Sequence, residues 1–372
     1  MNASKSPHGV GPTLLSAGVL SISLLGDILI YIVLPVNSEL FGVTLFWVGV
    51  LLAANRLIRI FTYGPIAALA ERIGPRNLAI TAAIAAAIST LGYGFGVGWP
   101  VLLAARITWG LCFAALSLVI FAYAVSDRSK AGTRVGFSRA IMNICPTLAL
   151  FLGPLAAVAV GPKDIFIYLG LISILAVPLA VMLPKEGRRP EPKKTEWLPM
   201  PKRFDLFMFI AGLTVDGVFT MAITITVAQT SSIGTAMVAG GVLLGIRRGS
   251  EGLLSPLGGI LGDKYGPHRL LFLSTLVMAV GFALLALGHV YAGGLLAVIG
   301  RSFIAALWPA EIAHRTTEEK TLRRIAVAQT WRDVGASTGP LIAGSLLEVV
   351  ALGHIYWTMA TLVVVGLILQ RR

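Results

Sequence analysis

The sequence predicts an all-α membrane protein in which twelve transmembrane helices form two six-helix bundles. Three observations support this prediction. The 372 residues are 56% hydrophobic and only 13% charged, with a mean hydropathy of +0.84, whereas about a quarter of the residues in soluble domains are charged. Apolar runs long enough to span a bilayer recur along the whole chain. The second half of the chain also repeats features of the first half.

The apolar runs place the helices in order along the chain. Reading about 20 apolar residues per span, we expect the first six helices near 13–34, 45–68, 77–97, 100–125, 138–160 and 164–183. We expect the second six near 204–228, 236–260, 270–288, 290–313, 325–348 and 352–370. The least clearly marked divisions are the short turn "GVGWP" at 96–100 and the stretch around His289.

A polar segment divides the two sets of helices. Residues 184–205, "PKEGRRPEPKKTEWLPMPKRFD", are rich in proline and charge and therefore cannot form a span. The predicted organisation is thus an N-terminal bundle over 1–183, a solvated linker over 184–205 and a C-terminal bundle over 206–372.

The basic residues follow the loops that this topology creates. With the N-terminus in the cytoplasm, the odd-numbered loops hold only Lys163, and the even-numbered loops and the linker hold the other loop lysines and arginines. This is the positive-inside pattern. It predicts a multi-pass protein of the cell (inner) membrane with both termini in the cytoplasm, and it explains the net charge of +13 without nucleic acid. The basic residues assigned to the even-numbered loops are Arg72, Arg76, Arg128, Lys130, Arg134, Arg139, Lys264, Arg269, Arg315, Lys320, Arg323 and Arg324.

An internal repeat relates the two halves. A shift of 192 residues lays "LLAANRLIRIFTYGPIAALAERIGPRNL" (51–78) over "LLGIRRGSEGLLSPLGGILGDKYGPHRL" (243–270) without a gap. Nearby shifts of 189 and 195 residues align Asp27 with Asp216 and Arg106 with Arg301, respectively. Equivalent helices lie six spans apart, an even number, so both copies have the same orientation. The two bundles are therefore expected to be related by a pseudo-two-fold axis along the membrane normal, around a central site at mid-depth.

Arginines inside the predicted spans mark that central site. Each would cost about 2.5–3.5 kcal/mol at the middle of a bilayer, so each needs a partner or water. Arg56 and Arg59 lie three residues apart and share one helix face. The same face of the second copy carries Arg248 and Glu251, whereas Arg247 lies about 100° around the helix. The predicted substrate-binding residues are Arg56, Arg59, Arg248, Glu251 and Arg301.

The intramembrane bases outnumber the acids. Seven arginines face five acids even when Glu311, near the cytoplasmic end of helix 10, is counted. This excess predicts a hydrated, positive chamber for a substrate with a carboxylate, phosphate or other anionic group, because arginine binds such groups in a bidentate manner. The alternative is that these charges pair with one another as structural contacts between helices. The charges are Arg56, Arg59, Arg106, Arg247, Arg248, Arg301, Arg332, Asp27, Asp216, Glu251, Asp333 and Glu311.

Two of the acids are candidates for a proton site. A carboxylate in a low-dielectric site holds a proton more readily, and a nearby arginine reverses that effect. If Asp27 lies near Arg106, substrate or conformation could switch the pairing and release the proton. The predicted proton-coupling residues are therefore Asp27, Asp216 and Arg106, and the alternative for Asp27 is a permanent ion pair.

Short motifs give these spans a family resemblance over nearly the whole chain. The chain resembles the major facilitator superfamily of secondary transporters through the loop that follows helix 8, with Gly259, Leu261, Asp263, Lys264, Gly266, His268 and Arg269. The copy after helix 2 departs from the motif, with Ala67 in place of glycine and Glu71 in place of aspartate. Helix 4 carries "ARITWG", and helix 5 carries "LGPL" (152–155), a fragment of the glycine-proline motif associated with antiporters. The resemblance implies that Glu71, Arg72, Asp263 and Lys264 hold the inner gate shut, near the starts of helices 11 and 5.

The resemblance and the charges together predict a secondary transporter. We expect it to move a small organic anion or zwitterion by alternating access, with protons as coupling ions and no cofactor or metal. A proton-driven multidrug efflux antiporter is the alternative within transporters, and a non-transporting receptor or assembly factor is the alternative from another class. An intramembrane enzyme is disfavoured, because no paired metal ligands and no nucleophile motif occur at mid-depth. We also expect a monomer.

Overall fold

The computed structural model describes residues 10–185, 200–219, 233–346 and 350–370. Over these ranges the chain forms helices and turns without a strand, as the sequence predicts. Most of the predicted linker, residues 186–199, and the end of predicted helix 7, residues 220–228, lie outside the described residues.

The first half of the chain forms six helical segments. The bounds are α1 Gly11–Val36, α2 Leu45–Ile73, α3 Pro75–Phe95, α4 Trp99–Ala124 and α5 Ala131–Val160, and α6 consists of Asp164–Ser173 followed by Ala176–Val181. A short 3₁₀ turn, Arg128–Lys130, precedes α5. Helix α6 changes to i→i+3 bonds where Ile174 and Leu175 donate to the carbonyls of Leu171 and Ile172.

The second half repeats this order. Helix α7 covers Arg203–Ala211 and continues as a π-helix over Gly212–Phe219. The remaining bounds are α8 Ile233–Tyr265, α9 Pro267–Ala286, α10 Val290–Arg315, α11 Glu318–Leu346 and α12 Leu352–Gln370. A π-helical stretch inside an α-helix is rare and often occurs at functional sites, and here it carries Asp216.

Several helices are longer than their apolar runs predict. Helix α5 begins at Ala131 instead of 138, α2 ends at Ile73 instead of 68, and α11 begins at Glu318 instead of 325. Helix α7 begins at Arg203, so the last three residues of the predicted linker are helical. Hydropathy marks only the part of a helix that is apolar, and the charged turns of these helices pack against neighbouring helices instead of ending at the edge of the apolar run.

Two pairs of helices join the halves. Helix α5 packs along α8, and α2 packs along α11, with smaller contacts from α5 to α10 and from α4 to α11. Within the halves, α1 packs on α5 and α3 on α4, whereas α9 packs on α10 and α12, and α7 packs on α11. The interior between the halves is therefore lined by α2, α5, α8 and α11.

Eight helices of the described residues are long and apolar enough to cross a membrane, namely α1, α3, α4, α5, α6, α9, α10 and α12. Of the other four, α7 is cut short by the limits of the described residues. Helices α2, α8 and α11 carry several charged residues in their spans. Helices that face the interior of a bundle can hold charges that a lipid-facing helix cannot. The chain is a multi-pass membrane protein whose most charged helices meet between its halves.

Candidate functional site

One end of the bundle is closed by contacts between the halves. We call it the basic end, because Arg72, Arg76, Lys264 and Arg269 lie there, where α2 turns into α3 and α8 into α9. The carboxylate of Asp263 accepts hydrogen bonds from the backbone N–H of Gly132 at 2.9 Å and of Thr133 at 2.7 Å, at the start of α5. A carboxylate at a helix N-terminus satisfies N–H groups that have no partner within the helix and interacts favourably with the helix dipole.

A second contact closes the basic end between α2 and α11. Glu71 accepts hydrogen bonds from Arg323 Nε at 2.9 Å and Nη2 at 2.6 Å, near the start of α11. Arg72 and Lys264, however, are exposed, and within the described residues neither forms an ion pair with a carboxylate. In this conformation the two acids, and not these two bases, make the contacts between the halves. The Lys264 ammonium lies 5.1 Å from the ring centre of the neighbouring Tyr265.

Asp27 and Arg106 form a buried ion pair inside the first half. Arg106 is fully buried on α4, and it also donates to the carbonyl of Leu51 at 2.9 Å and to the Tyr31 hydroxyl at 3.0 Å. Asn55 donates to Asp27 at 3.3 Å from α2. The pair therefore links α1, α2 and α4 of a single bundle.

The second half contains the equivalent pair. Asp216, on the π-helical stretch of α7, accepts from Arg301 Nε of α10 at 2.8 Å and from Arg247 of α8 at 3.2 Å. The 192-residue shift aligns Arg247 with Asn55 of the first half. The two halves thus build the same arrangement of one aspartate and one arginine, and a second arginine replaces the asparagine in the second half.

A continuous series of charges crosses both interfaces between the halves. We call it the central ion-pair chain. Glu251 pairs with Arg139 of α5 at 2.9 Å and also contacts Arg301. At the other interface Asp333 pairs with Arg59 of α2 at 3.2 Å, with Arg332 at 3.3 Å, and accepts from the Tyr63 hydroxyl at 2.9 Å. Arg332 Nε lies 3.9 Å from Asp216. The members are Arg139, Glu251, Arg301, Asp216, Arg332, Asp333 and Arg59.

Arg56 and Arg248 differ from the arginines of the central ion-pair chain. Both are half-buried, and each lies 17 residues before the last residue of its helix, Ile73 and Tyr265 respectively. Arg56 donates to the carbonyl of Ala336 on α11 at 3.2 Å, and Arg248 donates to the Asn143 amide oxygen on α5 at 3.3 Å. Within the described residues, no carboxylate lies within ion-pair distance of either guanidinium. Each half thus directs one such arginine at the other half.

The structure changes the charge count on which the sequence prediction depends. Arg139 was assigned to a loop, but it lies in the third turn of α5 and faces Glu251. Glu311 contacts Arg315 and lies 3.2 Å from His268 at the basic end, inside the second half. Among the described residues, eight arginines around mid-depth therefore face four carboxylates. The sequence analysis also missed Asn143, Tyr31 and Tyr63, whose polar atoms contact this site, because single polar residues in an apolar run give no periodic signal.

A family model described as Major Facilitator Superfamily matches residues 17–246 and 204–371. The chain therefore belongs to the major facilitator superfamily, whose members are secondary transporters, as the motifs around Asp263 and Arg106 predict. No curated protein matches the sequence.

Solved structures of transporters share the fold. The human organic anion transporter MFSD10 (TETRAN) superposes with a TM-score of 0.79 at 14% identity, over 97% of this chain and 99% of that chain. The fucose:proton symporter FucP of E. coli, in a variant form, gives a TM-score of 0.72 at 12% identity over 97% and 98% of the two chains. FucP in the outward conformation gives 0.73 at 12% identity with the same coverage.

Proposed function

We propose that this transporter moves a small organic solute with an anionic or zwitterionic group by alternating access between the two bundles. The observation that carries the proposal is the pair Arg56 and Arg248. They occupy equivalent positions of the two halves, they are half-buried, and their hydrogen-bond partners are neutral. A guanidinium near mid-membrane needs a counter-charge or water, and a carboxylate or phosphate group of the substrate would supply that charge in a bidentate geometry.

The surroundings of this pair favour an anion over a cation. In the part of the chain that the structure describes, the carboxylates near mid-depth are already paired with arginines, and the arginines outnumber them by four. A cationic drug would have to compete with an arginine for Asp27 or Glu251. This argues against the multidrug exporter alternative. The fold similarity to an organic anion transporter is consistent with the proposal, but at 14% identity it supports the fold alone.

We further propose that protons are coupled to transport through Asp27 and Asp216. The two carboxylates occupy equivalent positions, and each pairs with an arginine of its own bundle. If the substrate anion draws the arginine away, the carboxylate loses its counter-charge and binds a proton more readily. With the N-terminus in the cytoplasm, the closed basic end would face the cytoplasm, and the substrate would reach Arg56 and Arg248 from the opposite side.

A ligand screen tests the substrate class. Purified protein is heated with organic anions, organic cations and neutral sugars, and the unfolding temperature is measured for wild type, Arg56→Ala and Arg248→Ala. A bound ligand stabilises the folded state by mass action. We expect anions alone to raise the unfolding temperature of wild type, and both variants to lose that rise.

The matched control is Arg203→Ala, which removes an exposed arginine at the start of α7. It should keep the response of wild type. Stabilisation by cations or sugars alone, or anion shifts that persist in Arg56→Ala and Arg248→Ala, would contradict the proposed substrate class.

A further inference from the structure

The two ion pairs that join the halves at mid-depth in the described ranges have the same polarity. The first half contributes the bases, Arg139 on α5 and Arg59 on α2, and the second half contributes the acids, Glu251 on α8 and Asp333 on α11. By the repeat, Glu251 and Arg59 are equivalent positions. One half therefore offers a positive face and the other half a negative face where they meet.

Separating the halves would affect the two faces differently. Glu251 would keep Arg301, and Asp333 would keep Arg332, because these partners belong to the second half. Arg139 and Arg59 would lose their carboxylates, and within the described residues no carboxylate of the first half pairs with either arginine. An arginine inside a membrane protein that loses its counter-charge needs water or another anion in its place. Separation of the halves at these two ion pairs therefore leaves newly unpaired positive charge on the first half only.

We propose that Arg139 and Arg59 are each an anion subsite, one at each interface between the halves, which Glu251 and Asp333 respectively occupy in this conformation and which an anionic group of the solute takes over when the halves part at the basic end. The proposal rests on the alternating access and substrate class proposed above. The carboxylates of the second half act as an internal competitor for the solute. The solute anion and the carboxylates exchange places on the same guanidinium groups, so binding of the anion favours the open basic end.

A buried serine next to the Arg139 subsite reports on the interface. Ser255 lies on α8, one turn closer to the basic end than Glu251, and is fully buried. Its backbone packs against Gly136 of α5, and its hydroxyl donates to the Ser302 carbonyl of α10 at 3.0 Å. In a background of Cys112→Ser and Cys145→Ser, Ser255→Cys should react with a hydrophilic maleimide only when α5 moves away from α8 and α10, which it covers. The probe anion is inorganic phosphate, with ionic strength held constant by chloride.

Two substitutions break the same ion pair from opposite sides. Glu251→Gln leaves Arg139 free to bind phosphate, whereas Arg139→Gln removes the Arg139 subsite. Both should raise the reaction rate of Ser255→Cys without phosphate at least about tenfold, because each removes one partner of a buried pair. Phosphate should raise the rate further in Glu251→Gln, at a lower concentration than in the protein with the intact ion pair, and should have a much smaller effect in Arg139→Gln, where only the Arg59 subsite remains and Asp333 still occupies it. Asp333→Asn and Arg59→Gln repeat the comparison at the other interface.

Two controls distinguish separation of the two halves from a general destabilisation of the protein. Glu311→Gln removes a carboxylate that is equally buried but pairs inside the second half, so the Ser255→Cys rate should not change. Ser89→Cys places the thiol inside the first half, where Ser89 is buried and donates to the Ala105 carbonyl at 2.7 Å, and it should stay unreactive in all variants.

The outcomes distinguish an anion subsite from an ion pair that only holds the two halves together. Equal phosphate responses in Glu251→Gln and Arg139→Gln, or no response in either, would overturn the subsite. An unchanged reaction rate in both would overturn the claim that the pair holds the halves together. The screen with Arg56→Ala and Arg248→Ala uses other residues and another readout, so failure of the proposed function is recognised independently.

Discussion

The buried pair of Asp27 and Arg106 gives the sharpest stability prediction. Arg106 is fully buried, and its other hydrogen-bond partners, the Leu51 and Leu52 carbonyls and the Tyr31 and Tyr93 hydroxyls, are neutral. Asp27→Asn preserves the shape of the side chain but leaves a buried cation without a counter-charge. Removing one partner of a buried pair costs about 3–5 kcal/mol. At roughly 2–4 °C per kcal/mol for a domain of this size, the unfolding temperature should fall by at least about 6 °C.

Cys112 provides the assay for this prediction. It is buried on α4, the helix that carries Arg106, and the protein holds only one other cysteine, Cys145. In a Cys145→Ser background, a fluorogenic maleimide reports unfolding as Cys112 becomes exposed. Glu39→Gln, at an exposed carboxylate between α1 and α2, should stay within about 0.5 kcal/mol of the parent.

A double variant tests whether the charge is the cause. Asp27→Asn with Arg106→Gln replaces both charges by neutral groups, and it should be less destabilised than the sum of the single variants by up to about 3 kcal/mol. The reasoning is refuted if Asp27→Asn alone unfolds within about 2 °C of the parent, or if the two substitutions are additive.

Further predictions concern the contacts at the basic end. Gly132→Ala would place a Cβ 2.7 Å from Asp263 Oδ1 and 2.8 Å from the Gly259 carbonyl, so α5 and α8 must separate, and the Ser255→Cys reaction rate should rise. Asp263→Asn loses the charge at the start of α5 and should destabilise the protein by about 1 kcal/mol in thermal unfolding, whereas Lys264→Ala, at an exposed site, should have no measurable effect. Glu71→Gln should cost no more than about 1 kcal/mol in the same assay, because its partner Arg323 is partly solvated. A loss of several kcal/mol in Glu71→Gln would contradict the prediction that this partly solvated ion pair contributes little to stability.

The repeat predicted the internal pairs better than the contacts between the halves. The alignment of Asp27 with Asp216 and of Arg106 with Arg301 predicted equivalent sites, and the structure forms both pairs. The partners of Arg56 and Glu251 could not be read from the sequence. Ala336, which binds Arg56, and Arg139, which pairs with Glu251, lie on helices of the other half, and only the packing of α2 on α11 and of α5 on α8 brings them together.

The error at Arg139 has a physical cause. Hydropathy begins the fifth span at about residue 138, next to Arg139, and the positive-inside pattern counts this arginine with the loop that precedes the span. In the structure α5 continues for seven residues beyond that limit, because its first turns pack against α8 and Glu251 supplies a counter-charge. Helices that line the interior of a transporter are the ones for which hydropathy underestimates length.

The most direct test of the central claim is transport itself. Proteoliposomes that contain the wild-type protein or the Arg56→Gln/Arg248→Gln double variant are given a labelled anion identified by the ligand screen, with and without a proton gradient. We predict that wild type accumulates the anion, faster with the gradient, and that the double variant does not, although it unfolds at the same temperature. Equal uptake by the two proteins, or uptake only of cations or neutral solutes, would contradict the claim that these two arginines bind the anionic group.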